Sequence, residues 1–281
     1  MTLIGDQPGE LILLRVPEYG RVVAPSAAGY GWIIPDQDVD SDRDEVDDYL
    51  DQVVENCHRP ELVIQTLKAA GDVASTIVDT AVGEQVDLIA MTTHGYSGFT
   101  RWMLGSVTER VLRSTPCPVL VIRFDQPLKH ILITLDGSRL AEHILNPALE
   151  MARRLSAQVT VLRVDHEEKL SALDIGLLEI ADSELCKEIS QHPEKRLSYY
   201  LDCVSKNYPT QDLDFKTTVV KGHPAQSILE YAEAHDVDLI AMATHGYTGL
   251  RRWVYGSVTG KILHEANCAM LVARPPEDML Q

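Results

Sequence analysis

Val86–Glu109 reads VDLIAMTTHGYSGFTRWMLGSVTE, and Val237–Gly260 reads VDLIAMATHGYTGLRRWVYGSVTG. Of the 24 paired positions 17 are identical, and one offset of 151 residues joins His94 to His245, Gly105 to Gly256 and Cys117 to Cys268. So long a period marks a duplicated domain; solenoid repeats run to about 20–50 residues. Val237–Ala243 is a nearly continuous apolar run, the pattern of a strand buried on both faces. The glycines and hydroxyls that follow it read as a loop opening a helix near Gly256-Ser257.

Working outward, the second copy alternates strand and helix signals. His130–Leu135 is an apolar, β-branched first strand. Leu140, Ile144, Ala148, Met151, Ala152 and Leu155 recur at helical spacing, and Pro147 inside that pattern predicts a kink. Gln158–Val164 is a second strand, a helix is expected from about Ser183 to Lys206 with a break near Pro193, and Asp214–Val220 is a third strand. Pro224 suits a helix's first turn, with Ala225, Ile228, Leu229 and Ala232 as its buried stripe. Ala269–Ala273 is the fifth strand.

The first copy repeats the order from its second strand onward. Leu11–Val16 answers Thr160–Val164, Ala74, Ile77, Val78 and Ala81 repeat the helix stripe, Val86–Thr92 repeats the buried strand and Pro118–Arg123 the last one. Nothing corresponds to the strand and most of the helix of His130–Leu149, although Thr2–Ile4 offers a stub of strand. Two readings follow: a start upstream of Met1, or a degenerate module propped by the second. Strands alternating with helices imply parallel pairing. The expected fold is therefore α/β, two tandem Rossmann-like open parallel sheets of five strands. The first lacks its first strand and helix. The expected domains are residues 1–125 and 126–281, joined through Asp125–Pro127.

The 281 residues carry 42 acidic and 25 basic side chains, a net charge of −17, and are 45% hydrophobic, enough for a sizeable core. So negative a surface repels nucleic acid and anionic membranes. No apolar run reaches the ~20 residues of a membrane span, and the first residues have no signal-peptide pattern. Five scattered cysteines without a C-x-x-C pair fit the cytoplasm and exclude a thiolate zinc site. Asp36–Asp48 superficially resembles a calcium loop but lacks its glycine and terminal glutamate. A solvated acidic loop leading into a helix is the reading preferred.

Ligands of parallel sheets sit at the carboxyl ends of the strands. One strand ends in Leu135-Asp136-Gly137-Ser138; another ends in Thr244-His245-Gly246-Tyr247-Thr248-Gly249 and leads to Gly256-Ser257-Val258-Thr259. Glycines let a backbone approach an anion, and a helix N-terminus offers unsatisfied N–H groups. Ser257 and Thr259 are hydroxyl donors, and Asp136 can accept from a ribose or base. Each also has a plainer reading: Ser257 as a cap, Asp136 as an Asx turn, His245 as a backbone-bonded structural histidine, and Arg101-Trp102 and Arg252-Trp253 as loop packing. No nucleophile–base pair and no metal-ligand cluster is legible, so no catalytic residue is expected.

The string T-H-G-Y-[ST]-G, with nine residues between its first glycine and G-S-V-T, a helix and a C-x-[VM]-L-V strand resemble the universal stress protein family, as does the Ile131–Glu142 start. Gly95, Gly105 and Ser106 match its nucleotide motif in the first half, and Gly246, Gly256 and Ser257 in the second. The resemblance implies strand order 3-2-1-4-5, pairing of modules through their last strands as a pseudo-dimer, possible homodimers, and ATP, ADP or AMP as ligand, with or without magnesium. Carried over by position, the site is Thr134, Asp136, Val164, Met242, Ala243, His245, Gly246, Gly256, Ser257, Val258 and Thr259. Val164 would border the adenine, Asp136 would hold base or ribose, and the Gly246 and Gly256-Ser257 backbone would hold phosphates. The motif's first glycine is replaced by Ala243 and by Thr92. With no counterpart of Asp136, the first half is expected to hold no nucleotide. The expected function is nucleotide-binding stress regulation without demanding chemistry. The alternatives are a nucleotide-free module working through protein contacts, or an ATP-hydrolysing enzyme of a related fold.

Overall fold

The computed structural model describes residues 9–16, 22–24, 32–34, 39–57, 59, 62–92, 104–123, 126–166, 193–244 and 256–275, with backbone alone for 22–24, 32–34, 39–47 and 193–196. Two compact units emerge, Asp6–Thr80 and the chain from Ala81 onward. This boundary differs from the repeat boundary near residue 126, and the reason lies in the sheets.

The larger unit is built on a seven-stranded sheet of order β5-β6-β11-β10-β7-β8-β9. Its strands are β5 (Ile89–Thr92), β6 (Val119–Ile122), β7 (His130–Leu135), β8 (Gln158–Asp165), β9 (Phe215–Lys221), β10 (Leu239–Ala243) and β11 (Ala269–Ala273). Counted within the second half, the order is 3-2-1-4-5, all parallel. The sheet then continues into the first half, because β11 pairs antiparallel with β6, Leu271 opposite Leu120. The first half's last two strands thus belong to the second half's sheet.

The smaller unit holds the rest: β1 (Gly9–Arg15) pairs parallel with β4 (Leu62–Lys68), and a short antiparallel pair joins β2 (Val22–Ala24) to β3 (Trp32–Ile34). Helix α1 (Val39–Cys57) and helix α2 (Val73–Gly83) accompany them. The expected separate sheet for the first half is corrected here. In the second half β7 joins β8 to β10; without a counterpart of β7, the first half's strands fall into two groups. The β2–β3 pair was not foreseen. The acidic run, expected as a loop leading into a helix, is already helical from Val39.

The remaining helices are α3 (Ser106–Ser114), α4 (Arg139–Glu142), α5 (Leu145–Leu155), α6 (Pro193–Asn207), α7 (Pro224–Ala234) and α8 (Ser257–Glu265). Pro147 does not kink a continuous helix. The helix breaks at His143-Ile144, and Pro147 is the third residue of α5, where no N–H is needed inside the helix. Ile131, Ile133 and Leu135 of β7 join Val159 and Val161 of β8, Ala141, Ile144, Leu145, Ala148 and Leu149, and Tyr200, Leu201 and Val204 of α6 in one core. The alternate residues of β7 face the other way. There His130 meets the Thr160 hydroxyl at 2.8 Å and the His235 carbonyl at 3.1 Å, near the end of α7; burial lowers its pKa.

Candidate functional site

The strands that carry the expected site residues are neighbours. The β7–β10 register runs from Ile131 opposite Leu239 to Ile133 opposite Ala241. Two residues on, Leu135 and Ala243 end the two strands together. The chain leaves β7 toward β8 on one side and leaves β10 toward β11 on the other. That divergence is the switch point at which open α/β sheets form a crevice.

On the β7 side, Thr134 is buried and Asp136 is exposed just beyond the strand. One Asp136 oxygen accepts from the Ser138 amide at 2.9 Å, the Asx turn, while Gly137 takes φ +83°. Ser138 then caps α4, its hydroxyl accepting from the Ala141 amide at 3.1 Å. Val164 is half-buried near the end of β8.

On the β10 side, Met242, Ala243 and Thr244 are buried. The Gly256 amide donates to the Thr244 carbonyl at 3.1 Å, and the Thr259 hydroxyl donates to the Ala243 carbonyl at 3.1 Å. These bonds pin the start of α8 to the end of β10. They also revise two roles. The Gly256 N–H faces its own strand, and the buried Thr259 hydroxyl is a structural tie, so neither is the phosphate donor expected of it. No side chain caps α8. Its first amides, on exposed Ser257, half-buried Val258 and buried Thr259, are the N–H groups a helix start leaves without intrahelical partners. A Cβ built at Gly256 would meet nothing nearer than the Thr244 carbonyl at 3.7 Å, and its φ of −51° suits any residue. His245, Gly246, Gly95 and the two Arg-Trp pairs lie outside the described residues.

The first half repeats the tie: the Thr108 hydroxyl donates to the Thr92 carbonyl at 3.2 Å, and Gly105 precedes α3 without a side-chain cap. It has no sequence counterpart of Asp136.

One polar group at this end of the sheet was missed. Arg163 on β8 is 4% exposed, its Cζ 4.8 Å from the centroid of the Tyr200 ring. The Tyr200 hydroxyl donates to Glu142 at 2.9 Å. Burial raises the pKa of both Glu142 and Tyr200, and the Asp136 carboxylate adds to each shift. A charged residue inside an apolar strand was the available signal, since Leu14-Arg15-Val16 and Leu162-Arg163-Val164 share it.

Strand order, switch point and helix start together define an open, mostly parallel α/β sheet with a crevice at its switch point. The chain belongs to the universal stress protein family, which it matches over residues 2–123 and again over 127–274. The universal stress protein MJ0531 of Methanocaldococcus jannaschii is 33% identical over 150 residues, 53% of this chain and 84% of that protein. Universal stress protein Rv2005c of Mycobacterium tuberculosis is 26% identical over 210 residues, 72% of this chain and 67% of the relative. Among solved structures, a universal stress protein from Archaeoglobus fulgidus superposes with a TM-score of 0.62 at 19% identity, covering 88% of this chain and 82% of that one. A putative universal stress protein from Pseudomonas aeruginosa gives 0.63 at 16% identity, covering 96% and 94%. These two similarities speak to the fold. No described helix is long and apolar enough to cross a membrane.

Proposed function

We propose that the second half binds one adenine nucleotide, ATP, ADP or AMP, and that the protein acts through nucleotide-dependent association and not through turnover. The carrying observation is the juxtaposition of exposed Asp136 beyond β7 with the uncapped start of α8, which is tied to neighbouring β10 by Thr259 and Gly256. A helix start of this kind favours anions, and a carboxylate nearby suits ribose or base hydroxyl and amino groups. Val164 borders the adenine, Thr134, Met242 and Ala243 floor the crevice, and the 257–259 amides with His245 and Gly246 take the phosphates. Magnesium, where present, enters with those phosphates.

In this reading the modules are residues 1–125 and 126–281, the second alone holding ligand, in the cytoplasm that the scattered cysteines suit. Antiparallel pairing of β6 with β11 supports a pseudo-dimer of the two halves, and further self-association uses remaining sheet edges. Calorimetric titration of the full chain with ATP, ADP and AMP is the test. One equivalent bound is expected; no heat with any of the three ends the reading.

A nucleotide-free module acting through protein contacts is the second reading. It is favoured by the side chains of Ala243 and Thr92 where the family motif has glycine. Under it, Asp136→Ala leaves cellular activity unchanged; under the first reading, activity falls with nucleotide affinity.

A further inference from the structure

The seam between the halves carries one contact twice. Arg123 stands one residue past β6 and Arg274 one residue past β11, 151 positions apart, the offset of the repeat. The antiparallel β6–β11 register, continued by two residues each way, sets Arg123 opposite Cys268 and Arg274 opposite Cys117. Arg123 Nη2 donates to the Leu263 carbonyl in the last turn of α8. Arg274 Nη1 donates to the Arg113 carbonyl in the last turn of α3 at 2.9 Å. Carbonyls there have no intrahelical partner, and a cation suits the negative pole of a helix C-terminus. Each half thus caps the last helix of the other.

The two caps are equal in chemistry and unequal in consequence. Helix α8 opens at the crevice that exposed Asp136 flanks, whereas α3 opens in the half without a counterpart of Asp136. At its start α8 is tied to its own half, through Thr259 on the Ala243 carbonyl and Gly256 on the Thr244 carbonyl. A rod pinned at one end can still pivot about the pin. The second fixed point, Leu263, lies four residues past Thr259, about 6 Å along the axis, and it is held from the first half. Ile262 and Leu263 are wholly buried. Close packing passes a displacement of this end to the helix start with little slack.

We propose that Arg123 of the first half is a positioning residue for the site of the second half, a role that rests on the adenine-nucleotide reading of that site. By holding the last turn of α8, it fixes the direction in which the 257–259 amides meet phosphate. The half expected to hold no ligand thereby sets the affinity of the half that does. Linkage is reciprocal, so phosphate at the start of α8 strengthens the seam by the same factor. Arg274 has no such role, because the helix it caps leads to no site.

Full chains bearing Arg123→Met and Arg274→Met are titrated calorimetrically with ATP, and their urea midpoints are measured beside that of the natural protein. Methionine keeps an apolar stem and removes the donor and the charge. Similar losses of midpoint are expected, since each variant loses one charged hydrogen bond across the seam. ATP affinity should fall about fivefold in Arg123→Met, the low end of coupling between sites, and stay unchanged in Arg274→Met. Arg123→Lys keeps a cationic donor and should recover part of the loss. Where Arg123→Met does not fold, Arg123→Lys against Arg274→Lys makes the same comparison: weaker binding in the first alone supports the role, and equal binding overturns it. Undiminished affinity in a folded Arg123→Met overturns the proposal, as does an equal fall in both methionine variants, which makes the two arginines structural alone. No ATP binding by the natural protein ends the nucleotide reading itself, and this role with it.

Discussion

Thr259 donates its hydroxyl to the Ala243 carbonyl at 3.1 Å, across the loop that separates β10 from α8. Sixteen residues of chain are closed by this one bond, and Thr108 closes the same span onto Thr92. The helix start is therefore held at the strand end before any ligand arrives. Thr259→Val keeps the shape and removes the donor. It is expected to destabilise the protein by about 1 kcal/mol, the net worth of a buried hydrogen bond, seen as a lower urea midpoint. Nucleotide affinity, read by calorimetry, should fall about tenfold because the amides of 257–259 lose their fixed position.

Gly256 separates a folding requirement from a binding one. The protein itself leaves room for a Cβ there, the nearest atom being 3.7 Å away. Gly256→Ala should therefore cost no more than about 1 kcal/mol, the difference between glycine and alanine as N-caps. A ligand backed against that backbone would feel the methyl directly. Affinity for ATP is expected to drop at least tenfold while the urea midpoint barely moves; equal losses in both would place the glycine's importance in folding.

Much of the second half was legible because its strands are short apolar runs between helical patterns, while their order is what the family resemblance implies. His130–Leu135 and Ala269–Ala273 come out of the structure with the bounds read from sequence. The seam between the halves is implied only by the family resemblance, through pairing of the last strands. That β6 lies antiparallel to β11 is a tertiary choice between two apolar strands, and no local pattern encodes which edge they share. Pro147 was legible as a disruption but not as a restart, since that depends on where α4 ends. Within the site, Asp136 and Ser257 carry visible chemistry. The commitment of the Gly256 amide to Thr244 and of the Thr259 hydroxyl to Ala243 is geometry that spacing cannot supply.

Leu120 and Leu271 face each other in the β6–β11 pair and are wholly buried. Each truncated to alanine should cost about 2–5 kcal/mol. Direct neighbours do not act independently, so the double variant should depart from the sum by about 0.5–3 kcal/mol. A double-mutant cycle by urea denaturation measures this. Strict additivity would mean that the two halves do not share this seam in solution.

Glu142 gives the fold a dependence on pH whose sign is fixed. Burial raises its pKa, the effect opposed by the Tyr200 hydrogen bond and by Arg139 and reinforced by Asp136. The folded state thus holds this proton more tightly than the unfolded chain does. Between the ordinary glutamate value and the raised one, the native state binds more protons, so stability falls as pH rises through that window. Its contribution is fully present below the ordinary value and is lost above the folded one. Glu142→Gln cannot ionise and still offers Tyr200 a carbonyl acceptor. Its urea midpoint should exceed that of the natural protein at pH 7, and the gap should close at pH 4. Tyr200→Phe should act in the opposite direction, lowering the midpoint at pH 7 because the half-buried carboxylate loses its donor. A glutamine variant less stable than the parent at pH 7 would show that the ionised carboxylate, held near Arg139, is a net contributor to the fold.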